Sequence, residues 1–160
     1  MKRLIVVAAL AIGALLIPAS AAAERLPGSD HGGAPFGVTL APSVSDSTGS
    51  GSVRLTINPG QEEVCWDMHV SGLTTPITAS HIHWLPPGQT SGPVVVPFFQ
   101  FVPPTTATSF SGCASHNAIN ITTSERALLD AIIADPSSYY VNVHTTKHPG
   151  GEIRGPLTGP

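Results

Sequence analysis

Apolar and polar residues alternate strictly from Ser52 to Ile57: Val53, Leu55 and Ile57 take one parity, and Ser52, Arg54 and Thr56 take the other. Successive side chains on a β-strand point to opposite faces, so this is the pattern of a half-buried strand. Phe36-Gly-Val-Thr-Leu40 is a shorter run of the same kind, and the Ser- and Gly-rich stretch from Ala41 to Gly51 reads as a loop. Asn58-Pro-Gly60 signals a turn, with Pro fixing φ and Gly supplying a positive φ, so Ser52–Ile57 and Glu63–Val70 are expected to form an antiparallel hairpin. Further strands are expected at Ile77–Trp84, at Pro93-Val-Val-Val-Pro97 and from Tyr139 to Thr145. The all-apolar valine run suits a strand buried on both faces, and its flanking prolines are expected to confine it.

One segment breaks the period of two. Thr122-Thr-Ser-Glu125 has the spacing of a capping box, Leu128, Leu129, Ile132 and Ile133 recur at helical spacing, and Asp135-Pro136 ends the pattern. The expectation is one short α-helix near residues 123–134 with an ordinary core-facing stripe. Strands joined by turn-rich loops predict an all-β fold, an antiparallel Greek-key or immunoglobulin-like β-sandwich carrying that single helix.

The N-terminus changes the compartment. Lys2-Arg3, the apolar stretch from Leu4 to Ile17, and the small residues of Ala19-Ser-Ala21 and Ala21-Ala-Ala23 predict a signal peptide over residues 1–23. The stretch is shorter than the roughly 20 residues a membrane anchor needs, and no second apolar span follows it, so no membrane span is expected after cleavage. Residues 24–35 read as a flexible lead-in and residues 36–160 as a single domain. The chain is expected to be secreted or periplasmic.

Charge narrows the partners. After cleavage only Arg25, Arg54, Arg126, Lys147 and Arg154 face all ten Asp and Glu residues. Nucleic acid and anionic membrane surfaces demand clustered Lys and Arg, and are excluded on that ground. The two cysteines, Cys65 and Cys113, form an even pair in an exported chain, which favours a disulfide over a thiolate metal site shared with histidines.

The densest chemistry lies in Ala79-Ser-His-Ile-His-Trp84 and in Tyr140-Val-Asn-Val-His144. His81 and His83, two residues apart on a strand, share a face, and His144 ends a second strand-like run on the parity of Tyr140 and Asn142. Three imidazoles from two strands form a candidate site for copper or zinc. The bland alternative is that each imidazole bonds a backbone group and holds a loop. His69, on the parity of Asp67 and Cys65, is a candidate fourth ligand, although a solvated strand face explains it as well. Asp67, Glu152 and Arg154 are candidates to orient ligands from behind. No catalytic residue is assigned: nucleophile elbow, phosphate loop and Ser-His-Asp order are all missing, and Glu152 has no second carboxylate placed beside it by sequence.

These residues also carry a resemblance. Val64-Cys65-Trp66 with Val70-Ser-Gly-Leu73, Ala79-Ser-His-Ile-His83, Ser91-Gly-Pro-Val-Val-Val96, and Tyr139-Tyr-Val-Asn-Val-His-Thr145 with His148-Pro-Gly-Gly-Glu-Ile-Arg-Gly155 together resemble the CHRD domain, a family named after chordin and widespread in secreted bacterial proteins. The resemblance implies an all-β sandwich, and cysteines at the positions of Cys65 and Cys113 recur in bacterial members. It names no reaction. This chain departs from the pattern in having Trp84-Leu-Pro-Pro-Gly88 where many members have Gly directly after the His-x-His pair, which reshapes the loop beside the candidate site.

Two functions compete. In the first, a histidine cluster binds copper or zinc for carriage or buffering. In the second, a metal-free module contacts an extracellular protein or polysaccharide through the loops Trp84–Gly92 and Lys147–Gly151, with Trp84, Tyr139 or Tyr140 exposed as anchors.

Overall fold

The chain's architecture was obtained as a computed structural model that describes residues 31–159. The expected signal peptide and the lead-in through residue 30 lie outside the described residues. The elements run β1 (Ala34–Pro42), β2 (Ser50–Asn58), β3 (Glu63–Ser71), β4 (Ile77–Trp84), β5 (Val94–Thr105), β6 (Ser109–Ser115), α1 (Glu125–Ala134), a 3-10 turn at Pro136–Ser138, β7 (Tyr139–Thr145) and β8 (Ile153–Pro156). The domain is mostly β with one short helix, as the alternation implies.

All eight strands pair antiparallel in one sheet, ordered β5-β4-β7-β8-β1-β2-β3-β6, whose two end strands return towards each other so that it nearly closes into a barrel. The two halves are joined through β1. Its first part, Ala34 to Leu40, pairs with β2, and its end, Ala41 and Pro42, pairs with Arg154 and Ile153 of β8. The interior is filled by the inward parities: Phe36, Val38 and Leu40 of β1, Val53, Leu55 and Ile57 of β2, Val64, Trp66, Met68 and Val70 of β3, and Ile82, Val141, Val143 and Ile153 from the other half. Helix α1 packs onto this core through Leu128, Leu129 and Ile132.

Several local expectations are corrected. Strands β1 and β2 extend into the predicted lead-in and loop, because ladder pairing recruits Ala34, Pro35, Ser50 and Gly51, whose side chains carry no signal of their own. The hairpin after Asn58 forms, but the left-handed residue is Glu62 (φ 50°) and not Gly60. Helix α1 is capped by Ser124, whose hydroxyl accepts from the Ala127 N–H, and not by Thr122. Glu125 does not reach back to cap: its carboxylate accepts the Asn117 N–H. Strand β5 starts directly after Pro93, as expected, but it runs through Pro97 as far as Thr105, so Pro97 does not confine it. It lies at an end of the sheet and pairs with β4 alone, and an edge position tolerates a residue with no N–H to give. Cys65 and Cys113 stand directly opposite in the β3–β6 ladder and form a disulfide, which removes the thiolate alternative.

Candidate metal centre

Directly opposed residues of an antiparallel ladder project to the same face of the sheet. The β4–β7 register opposes Ala79 to His144, His81 to Asn142 and His83 to Tyr140, and the β7–β8 register opposes Asn142 to Arg154. The intervening residues Ile82, Val141 and Val143 face the core. One polar row therefore crosses three strands on the face away from the core. Even so, His83 is only 7% exposed and His144 only 9%. The chain segments that supply the Gly92 and Pro149 carbonyls fold over them.

The three imidazoles converge. Ring centroids of His81 and His144 are 4.9 Å apart, with His83 5.7 Å from the first and 5.8 Å from the second. One ring nitrogen from each lies within 4.8 Å of the other two. His81 Nδ1 and His144 Nε2 are 3.2 Å apart. Two imidazole ligands on a tetrahedral zinc, each bonded at about 2.05 Å, would have their nitrogens about 3.3 Å apart.

The outer nitrogens are held by the backbone. His83 Nδ1 lies 2.9 Å from the Gly92 carbonyl and His144 Nδ1 lies 2.9 Å from the Pro149 carbonyl. A carbonyl only accepts, so both Nδ1 atoms carry the proton and both Nε2 atoms keep a lone pair. His83 Nε2 is buried with no hydrogen-bond partner. A buried acceptor with nothing to accept is costly in a folded protein, and a cation beside it removes the cost.

Electrostatics keep the set neutral. Burial, reinforced by His144 and His83, pushes His81 down to about 4. Burial also lowers His83, against the Gly92 carbonyl that favours its protonated form, and His144 and Arg154 add to the lowering. His144 is lowered by burial, partly opposed by the Pro149 carbonyl. Neutral imidazole is the form that binds metal. A cleft of about 420 Å³, bordered by His81, His144, Pro149, Gln100 and Phe101, leaves these two histidines reachable from solvent.

Supporting residues on the same face are legible in hindsight from their parity. Tyr140 stacks on His83 at 4.9 Å and 14°, and its hydroxyl accepts the Gly92 N–H at 3.3 Å. Arg154 lies over the other part of this stack, 5.6 Å from the Tyr140 centroid. Asn142 Nδ2 donates to the Gly150 carbonyl at 3.1 Å, steadying the turn that carries Pro149. Gly151, at φ +112°, passes so close to Asn142 that a Cβ would stand 2.1 Å from its Oδ1. Gly151→Ala is therefore expected to destabilise the domain by about 1–3 kcal/mol, from backbone strain before any clash is counted, as read by urea unfolding.

Other candidates lie elsewhere. His69 is exposed on β3, where it meets Asp67 (3.3 Å) and Ser109 (2.9 Å), and it is not in the converging set. Asp67 pairs with Arg54 and His69. Glu152 is fully buried, but its carboxylate is bonded by Ser47, Thr74 and Thr145, none of them a histidine. Of the aromatic anchors, Tyr139 and Tyr140 are buried and only Trp84 is exposed.

Among the described residues no helix is long and apolar enough to cross a membrane. In comparisons with known proteins, no curated protein and no solved structure matches the chain. The CHRD domain family matches residues 36–157, which takes in every strand of the sheet except the first two residues of β1. The chain belongs to the CHRD domain family.

Proposed function

We propose that this CHRD-domain protein is exported and binds one copper or zinc ion through His81, His83 and His144, as a carrier or buffer of that metal outside the cytoplasm. The observation that supports it best is the convergence of three neutral imidazoles, two of them with Nδ1 anchored on backbone carbonyls and one with a buried, partnerless Nε2. Anchoring of the outer nitrogen by a carbonyl is how ligand histidines are commonly oriented. Export is supported by the basic-then-apolar leader and by the disulfide. With His69 engaged by Asp67 and Ser109, we assign three protein ligands and leave the fourth position to solvent or an exogenous ligand from the cleft. We also read the sheet as a Greek-key barrel, because β3 pairs with β6 and β4 with β7 across intervening strands.

The test is metal content by mass spectrometry on untagged protein, with copper and zinc titrations of wild type and of His81→Ala/His83→Ala. Loss of an orienting group alone costs about 10–100-fold in affinity, so removal of two ligands is expected to cost at least about 100-fold. Disulfide-bonded wild type that takes up neither metal would overturn the reading.

The exposed indole of Trp84 (39%) favours a second reading, a module that docks an extracellular protein or polysaccharide beside the same loop. Binding that Trp84→Ala abolishes and the histidine variant does not would select it.

A further inference from the structure

Arg154 is the starting point. The other cations on the sheet and its loops have carboxylate partners: Arg54 has Asp67, and Lys147 has Asp46. Arg154 makes no ion pair among the described residues, although the chain is acidic overall. A guanidinium presents five N–H donors in a planar fork, and Arg154 donates from Nη1 to the Thr90 carbonyl at 2.8 Å. The group is nevertheless held in place. It sits on a strand rather than a loop, directly opposite Asn142, and it is braced over the Tyr140 ring.

Beside it opens a cleft of about 430 Å³, separate from the one that reaches His81 and His144. Tyr139, Tyr140, Leu85, Pro42 and Pro156 supply apolar wall, with Gln89 at the border. Its volume is within the range of small-molecule sites, and a concave apolar wall with one fixed polar group is the usual build of such a site. A guanidinium fork matches a carboxylate in shape and charge, donating two parallel hydrogen bonds. We infer that this cleft binds a small molecule bearing one carboxylate on a compact apolar body, with the carboxylate on Arg154 and the body against Tyr140 and Leu85. The inference does not depend on the metal.

Benzoate is the probe, followed by amide NMR shifts of the intact disulfide-bonded protein, with benzamide and acetate as comparisons. Benzoate is expected to give saturable shifts at Thr90, Tyr140 and Arg154, and both comparison molecules are expected to bind at least about tenfold more weakly, since each lacks one half of the recognition. Arg154→Gln should weaken benzoate at least about tenfold while near-ultraviolet circular dichroism stays unchanged. Leu85→Trp, which fills the wall and leaves the guanidinium, should weaken it as well. Benzoate binding should survive His81→Ala, which removes a proposed metal ligand that borders only the other cleft. The inference is overturned by absence of saturation, by benzamide or acetate binding as tightly as benzoate, or by indifference to both cleft variants. Loss of binding in His81→Ala would tie the carboxylate to the histidine cluster rather than to Arg154 and overturn it too.

Discussion

Glu152→Ala is expected to lower the free energy of unfolding by about 3–5 kcal/mol, the range for removing one partner of a buried, charged hydrogen-bond network. The side chain is fully buried. Its Oε1 accepts from the Ser47 hydroxyl at 2.8 Å and from the Thr74 N–H at 2.7 Å, and its Oε2 accepts from the hydroxyls of Thr74 at 2.9 Å and Thr145 at 2.7 Å. These donors come from the β1–β2 loop, the β3–β4 loop and the end of β7, so one carboxylate ties two distant loops and the neighbouring strand end to the start of β8. Alanine leaves the buried hydroxyls of Ser47 and Thr145 without this acceptor, while the exposed Thr74 can turn to water. Urea unfolding reads the effect directly, and a loss under about 1 kcal/mol would mean that water replaces the carboxylate and that the network is not a fastening.

The same residue sets an acid limb. Burial pushes the Glu152 carboxyl up, but hydrogen bonds from Thr145, Thr74 and Ser47 outweigh it and hold the group below its ordinary value of 4.5. A carboxyl with a lower folded than unfolded pKa adds stability that is complete above the unfolded value. That stability disappears as pH falls through the folded value. The stability advantage of wild type over Glu152→Gln is therefore expected to be constant above pH 4.5 and to shrink below it. A difference that stays flat to the acid end would contradict the assignment.

Cys65→Ser/Cys113→Ser is expected to cost about 4 kcal/mol, because the bridge closes a loop with a sequence separation of 48 in the unfolded chain. For a domain of this size that is a fall of about 10–20 °C in Tm. The bridge joins β3 to β6, whereas the histidines stand on β4 and β7. Calorimetry should show the loss, and metal titration below the new Tm should give an unchanged affinity. A weakened metal site in the folded variant would show that the two halves of the sheet are mechanically coupled.

The sequence by itself determined what short-range periodicity encodes. Alternation over Ser52–Ile57 and Glu63–Val70 gave the hairpin and its inward face, Leu128, Leu129 and Ile132 gave the helix, and His81 and His83 declared a shared face by their spacing. Local pattern does not encode which strands become neighbours. His81 and His144 are 63 residues apart, and they meet only because β4 pairs with β7, so parity said which residues of each strand could face a site but not that the strands adjoin. Proline signals misled at β5 because a missing N–H matters only where a ladder needs it, and edge position is a tertiary property. The carbonyls of Gly92 and Pro149 that set the histidine tautomers belong to backbone, which has no sequence signature. Glu152 stood out only as one carboxylate near a glycine turn. Its burial and most of its donors come from the β1–β2 and β3–β4 loops, whose Ser47 and Thr74 stand 105 and 78 residues away, and tertiary structure alone brings them together.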